Sequence, residues 1–95
     1  MMKVDAKNIR NTDLNECLHF SIRLIGKSTR RGSNLTFEGK ENCSGHNINK
    51  YIFDGMTVNQ YQNMIKANFN PNDPQFSLTK HLKYDIEKGF IELVR

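Results

Sequence analysis

Residues 77–95 read SLTKHLKYDIEKGFIELVR, and the way this stretch folds decides the architecture of the chain. Ser77 is a residue type whose side-chain oxygen accepts backbone N–H groups at a helix start. Leu78, Leu82 and Ile86 then recur at four-residue intervals, the spacing of one helical face. Gly89 tolerates the left-handed conformation that ends helices, and Phe90, Ile91, Leu93 and Val94 have the bulky apolar character of a strand. The stretch therefore predicts a helix over residues 77–88, a glycine exit and a closing strand over residues 90–94.

Working backwards, Asn70-Pro71-Asn72-Asp73-Pro74 is a breaker, because proline removes a donor and blocks helix continuation. Before it, Thr57 with Gln60 three residues later forms a capping box, and Val58, Tyr61, Met64, Ile65 and Phe69 make an apolar stripe. A helix over residues 57–68 is expected, packed through Val58, Tyr61 and Ile65 on Leu78, Leu82 and Ile86.

The first half reads as strands and loops. Met2, Val4 and Ala6 alternate, so a strand is expected over residues 2–9. Residues 11–25 carry two patterns. Leu14, Cys17, Leu18, Ile22 and Ile25 follow helical spacing, with Asp13 and Glu16 placed for a capping box, whereas Leu18, Phe20, Ile22 and Leu24 alternate strictly. The β-branched and aromatic content of residues 19–25 favours a strand there, after a helical turn. Residues 26–33 and 38–47 read as polar loops, residues 34–37 as a short strand and residues 48–53 as another. The fold class expected is α+β: a small, mainly antiparallel sheet with two packed helices, in a single domain.

Composition bounds the function. Ninety-five residues support one modest core, and 37% apolar with 25% charged content is that of a soluble chain. Twelve Asn residues, no Trp and a mean hydropathy of −0.67 indicate a polar surface. No stretch approaches the ~20 apolar residues of a membrane span, and residues 1–10 lack the apolar centre of a signal peptide. A cytoplasmic protein without a membrane partner is expected, its two cysteines free thiols. Fourteen Lys and Arg against ten Asp and Glu leave a net charge of +4, which favours phosphate-bearing partners.

Four groups of residues could carry chemistry. With Leu78, Leu82 and Ile86 inward, Lys80, Lys83, Tyr84 and Lys88 fall on the opposite helical face, where ammonium groups neutralise phosphates and a phenol stacks or hydrogen-bonds. The plainer reading is a solvated surface. Lys27, Arg30 and Arg31, among hydroxyls and Gly32, suit phosphate because guanidinium forks bind it bidentately. The Gly26-Lys27-Ser28 run is not a nucleotide-binding loop, since position 21 is Ser where that motif needs Gly. Cys17 with His19, and Cys43 with His46, would make a tetrahedral zinc site if the two segments met. The simpler reading is that Cys17 is a small buried hydrophobe and His46 a loop residue. His19, His46 and His81 could in principle cleave RNA by acid–base chemistry, yet their spacing brings no two together, so no enzyme and no cofactor is expected.

The helix–loop–helix–strand of residues 57–95, with Leu78, Leu82 and Ile86 followed by Lys88-Gly89-Phe90-Ile91, resembles the core of winged helix-turn-helix DNA-binding domains. The resemblance implies that the second helix enters the major groove and that Gly89 turns the chain towards a wing. The function expected is nucleic-acid binding, with double-stranded DNA the expected partner, by a small regulatory or accessory protein. Asn- and Lys-rich single-domain chains of this kind are found in phages and mobile elements. The alternative is an interaction module or inhibitor that binds a host protein through its sheet or its basic loop.

Overall fold

The computed structural model describes residues 3–26 and 36–95. Its organising element is β5, Ile91–Val94, the middle strand of a three-stranded antiparallel sheet ordered β1-β5-β2. On one side lies β1, Lys3–Val4, with Val4 opposite Leu93; on the other lies β2, Ser21–Leu24, with Ile22 opposite Leu93 and Arg23 opposite Glu92. Residues directly opposite share a face, so Val4, Leu93 and Ile22 form one row, and all three are buried. The other face carries Glu92, which is 6% exposed and lies 3.0 Å from Lys3 Nζ and 3.7 Å from Arg23 Nη1.

The outer edge of β2 is covered by the segment that enters α2, Val58–Asn68. Ile22 N–H donates to the Met56 carbonyl at 2.6 Å, Gly55 N–H to Ile22 at 2.8 Å and Val58 N–H to Phe20 at 3.0 Å. Thr57 caps α2 as its sequence indicates: its hydroxyl accepts from Gln60 N–H at 3.1 Å, and Gln60 Oε1 accepts from Thr57 N–H at 2.9 Å. Val58, Tyr61, Ile65 and Phe69 turn fully inward, while Met64 is half-buried.

α3 runs from Lys80 to Glu87 and buries Leu82 and Ile86 completely. It starts three residues later than expected. The Ser77 hydroxyl accepts from Thr79 N–H at 3.2 Å and Lys80 N–H at 2.9 Å, so the serine closes a side-chain turn ahead of the helix. At the other end Gly89 has φ +79°, its N–H donates to Ile86 and Phe90 N–H donates to Asp85, the paired bonds of a Schellman termination. That turn delivers the chain from α3 into β5.

Three expectations for the first half are corrected. Residues 2–9 are not one long strand. Within the described residues β1 ends at Val4, because Asn8 Oδ1 accepts from Asp5 N–H and Asp5 Oδ1 from Lys7 N–H, which folds residues 5–8 into a turn leading to a helical turn at Ile9–Asn11. The loop expected over residues 38–47 contains structure. β3, Thr36–Phe37, and β4, Lys40–Glu41, form a hairpin whose turn residues Glu38 (φ 46°) and Gly39 (φ +87°) both have positive φ, as a type I′ turn requires. Residues 48–53 are not a strand. Ser44 caps a third helix, α1, Gly45–Asn49, accepting from Asn47 N–H at 3.3 Å, and this helix takes Ile48 into the core. Glu41 accepts from Tyr51 Oη at 2.6 Å and Lys50 Nζ at 2.8 Å, tying the hairpin to the end of α1.

Residues 11–25 resolve as their second pattern. A short turn at Leu14–Glu16 precedes β2, although Asp13 caps it through Asn15 N–H rather than through a box with Glu16. One apolar cluster joins the sheet, α1, α2 and α3, with Leu78 and Phe90 packed at its margin. The class is α+β, with a small antiparallel sheet and three α-helices among the described residues.

Candidate nucleic-acid interface

Burial of Leu82 and Ile86 fixes the rotation of α3 and turns the sequence-predicted polar residues outward. Lys80 and Lys88 are exposed, Tyr84 is 40% exposed and Lys83 is half-buried. Lys80, Tyr84 and Lys88 stand at i, i+4 and i+8, one above another along the helix. Lys88 Nζ lies 5.5 Å from the centroid of the Tyr84 ring, a cation–π distance. Lys80, Lys83 and Tyr84 line one cavity of about 550 Å³, together with Gln75, Thr79, His81 and Glu87. Two ammonium groups, a phenol, a hydroxyl, an amide, an imidazole and one carboxylate thus border the same concavity.

The wall facing α3 is held by Asp73, which is 7% exposed. Its Oδ2 accepts from Cys43 N–H at 2.8 Å, its Oδ1 from Gln75 N–H at 2.9 Å, and its carbonyl from Phe76 N–H at 2.9 Å. His81, buried at 4% exposure, donates through Nε2 to the Gln75 carbonyl at 3.0 Å, because a carbonyl can only accept. Gln75 is therefore fixed from both sides. Sequence reasoning missed Gln75, Thr79 and Glu87, and weighed His81 only as an acid–base group. The available signal was the Asn- and Asp-rich run at 70–73, whose side chains fold back on the backbone: Asn70 Oδ1 accepts from Asn72 N–H at 2.9 Å.

The remaining sequence candidates are placed elsewhere. Lys27, Arg30 and Arg31 lie outside the described residues. Cys17 and Cys43 are buried free thiols. Burial pushes both up from the ordinary thiol value, helped at Cys17 by the carboxylates of Glu16 and Asp13; at Cys43 a hydrogen bond with the Ser77 backbone opposes the rise and the Asp73 charge adds to it. Both are thereby held away from the thiolate form that binds metal or attacks substrates. His19 meets the Phe20 ring edge-on at 5.2 Å, and His46 lies in α1. Among the described residues no group of three or more His, Cys, Asp or Glu could hold a metal ion. The three histidines belong to three different parts of the fold.

A second surface is apolar. Leu24, Ile25 and Phe53 are 45%, 48% and 54% exposed. Asp54 Oδ1 accepts from Leu24 N–H at 2.8 Å, which brings the Phe53–Asp54 turn beside the end of β2. Among the described residues no helix is long and apolar enough to cross a membrane. No family model, curated protein or solved structure matches this chain.

Proposed function

We propose that this domain binds nucleic acid through the outward face of α3, with Lys80, Lys83 and Lys88 on phosphates and Tyr84 on a base or sugar. The observation that supports this reading is the convergence of Lys80, Lys83, Tyr84 and Thr79 on one concavity, with Lys88 poised over the tyrosine ring. Each ammonium that replaces a condensed counterion on a phosphate releases that ion to solution, so affinity falls steeply with salt. The net charge of +4 steers the encounter in the same sense. On sequence grounds Lys27, Arg30 and Arg31 are proposed as further phosphate contacts. A duplex would be met by α3 along its major groove, as the winged-helix resemblance implies; a single strand would be met by the concavity that Lys80, Lys83 and Tyr84 border. Both engage the same ammonium groups.

The test is binding of labelled oligonucleotide at several salt concentrations to the wild type and to the Lys80→Ala/Lys83→Ala double variant. The expected result is weaker binding, with the slope of log affinity against log salt flattened by about one unit per lost phosphate contact. Equal affinities and slopes would remove α3 from the interface. A second reading, a protein-interaction module, is favoured by the exposure of Leu24, Ile25 and Phe53 at one end of the sheet. Absence of any nucleic-acid binding at low salt would move the weight to that surface.

A further inference from the structure

The shape and chemistry of the α3 site bear on which form of nucleic acid it takes. A helix that reads a duplex offers a convex ridge of side chains to a groove about 12 Å wide. Here Lys80, Lys83 and Tyr84 instead border an open hollow of about 550 Å³, with Gln75 and Thr79 also in its lining. That volume lies within the roughly 300–1,000 Å³ of sites that enclose one small-molecule unit. The lining is also of mixed charge. Lys80 and Lys83 attract an anion, whereas Glu87 repels one and accepts hydrogen bonds from amino groups. A bare phosphate or a featureless polyanion would be served better without Glu87. A nucleotide suits both charges, because its phosphates are anionic and the edges of cytosine, adenine and guanine carry amino donors. Lys88 Nζ lies 5.5 Å from the Tyr84 ring centroid, and Lys88 does not line the cavity.

We infer that the ligand of this face is a single strand, with one unpaired nucleotide seated in the hollow, its base against Tyr84 and its phosphates on Lys80 and Lys83. This rests on the nucleic-acid reading above. A base inside a duplex must be unstacked and unpaired before it can enter a cavity, while a single strand presents its bases already splayed. Gln75 and Thr79 supply adaptable hydrogen bonds to the base edge, and the Gln75 backbone is fixed in advance by Asp73 and His81.

The experiment uses the full chain and fluorescence anisotropy with a labelled mixed-sequence strand of about 15 nucleotides, alone and annealed to its complement. The single strand should bind about tenfold more tightly than the duplex at the same salt. Tyr84→Ala should weaken single-strand binding by roughly fivefold to a hundredfold, whereas Tyr84→Phe, which keeps the ring, should stay within about threefold of wild type. Thermal melts matching the wild type would show both variants folded. Duplex bound as tightly as the strand, or Tyr84→Ala binding the strand as wild type does, would overturn the inference and leave nucleic-acid binding standing. No binding of either form at low salt would overturn both.

Discussion

Replacing Asp73 with alanine should loosen both the fold and the cavity wall at once. Its carboxylate receives two backbone N–H groups, Cys43 at 2.8 Å and Gln75 at 2.9 Å, from segments thirty residues and two residues away. Hydrogen bonds to a charged acceptor contribute roughly 1.5–3 kcal/mol each. The alanine variant recovers part of that sum, because a buried carboxylate no longer has to be desolvated. Gln75 is exposed, so its freed N–H finds water, but Cys43 is fully buried and its N–H is left without a partner. The net loss is therefore about 2–4 kcal/mol, a large share of the ~5–15 kcal/mol of a small domain. At about 4–8 °C per kcal/mol for a domain of this size, Tm should fall by roughly 10–30 °C. Asp73→Asn keeps one acceptor oxygen and should lose about half as much. Circular dichroism melts of the three proteins measure this directly. A fall of less than about 3 °C for Asp73→Ala would mean that the two bonds do not hold the loop, and the preformed cavity wall would go with them.

Leu82→Ala, which removes a fully buried side chain, should cost about 2–5 kcal/mol, while the neighbouring Lys83→Ala should stay within about 0.5–1 kcal/mol; equal losses in urea unfolding would show α3 to be rotated from the orientation described. The Glu41 cluster should leave a pH signature. Hydrogen bonds from Lys50 and then Tyr51 hold the Glu41 carboxyl below its ordinary value, so its contribution is present above the unfolded value near 4.3 and is lost as pH falls through the lower folded one. The same bond to Glu41 pushes the Tyr51 phenol up, so that contribution is present below about 10 and is lost as pH rises through the higher folded value. Glu41→Gln should therefore lower Tm at neutral pH, with the difference from wild type shrinking at both extremes; a difference that does not change with pH would refute the assignment.

What the sequence disclosed was what is encoded locally. Thr57 with Gln60, the four-residue spacing of Leu82 and Ile86, and Gly89 each act within one or two turns of chain, and the structure places all of them as read. The outward face of α3 followed from the same periodicity. Residues 48–53 misled because Ile48, Tyr51, Ile52 and Phe53 are too few apolar residues to separate a strand from a helix end, and the deciding group, Ser44, lies upstream of them. β1 was overextended because Asp5 and Asn8 end it by side-chain bonds that compete with the sheet. The cavity wall was beyond sequence reasoning for a different reason. Asp73 acts on Cys43, thirty residues away, and no periodic pattern records a pairing of that kind.

β5 takes its neighbours, β1 and β2, from the opposite end of the sequence, and those two strands meet only through it. Closing such long loops is slow, so this pairing should make the domain fold more slowly than a helical bundle of the same size. Since the Gly89 turn joins α3 directly to β5, α3 takes up its final bearing only when this least local pairing is made. The face proposed to meet nucleic acid therefore depends on the sheet: a chain in which β5 is unpaired carries Lys80 and Lys83 but not the concavity they border.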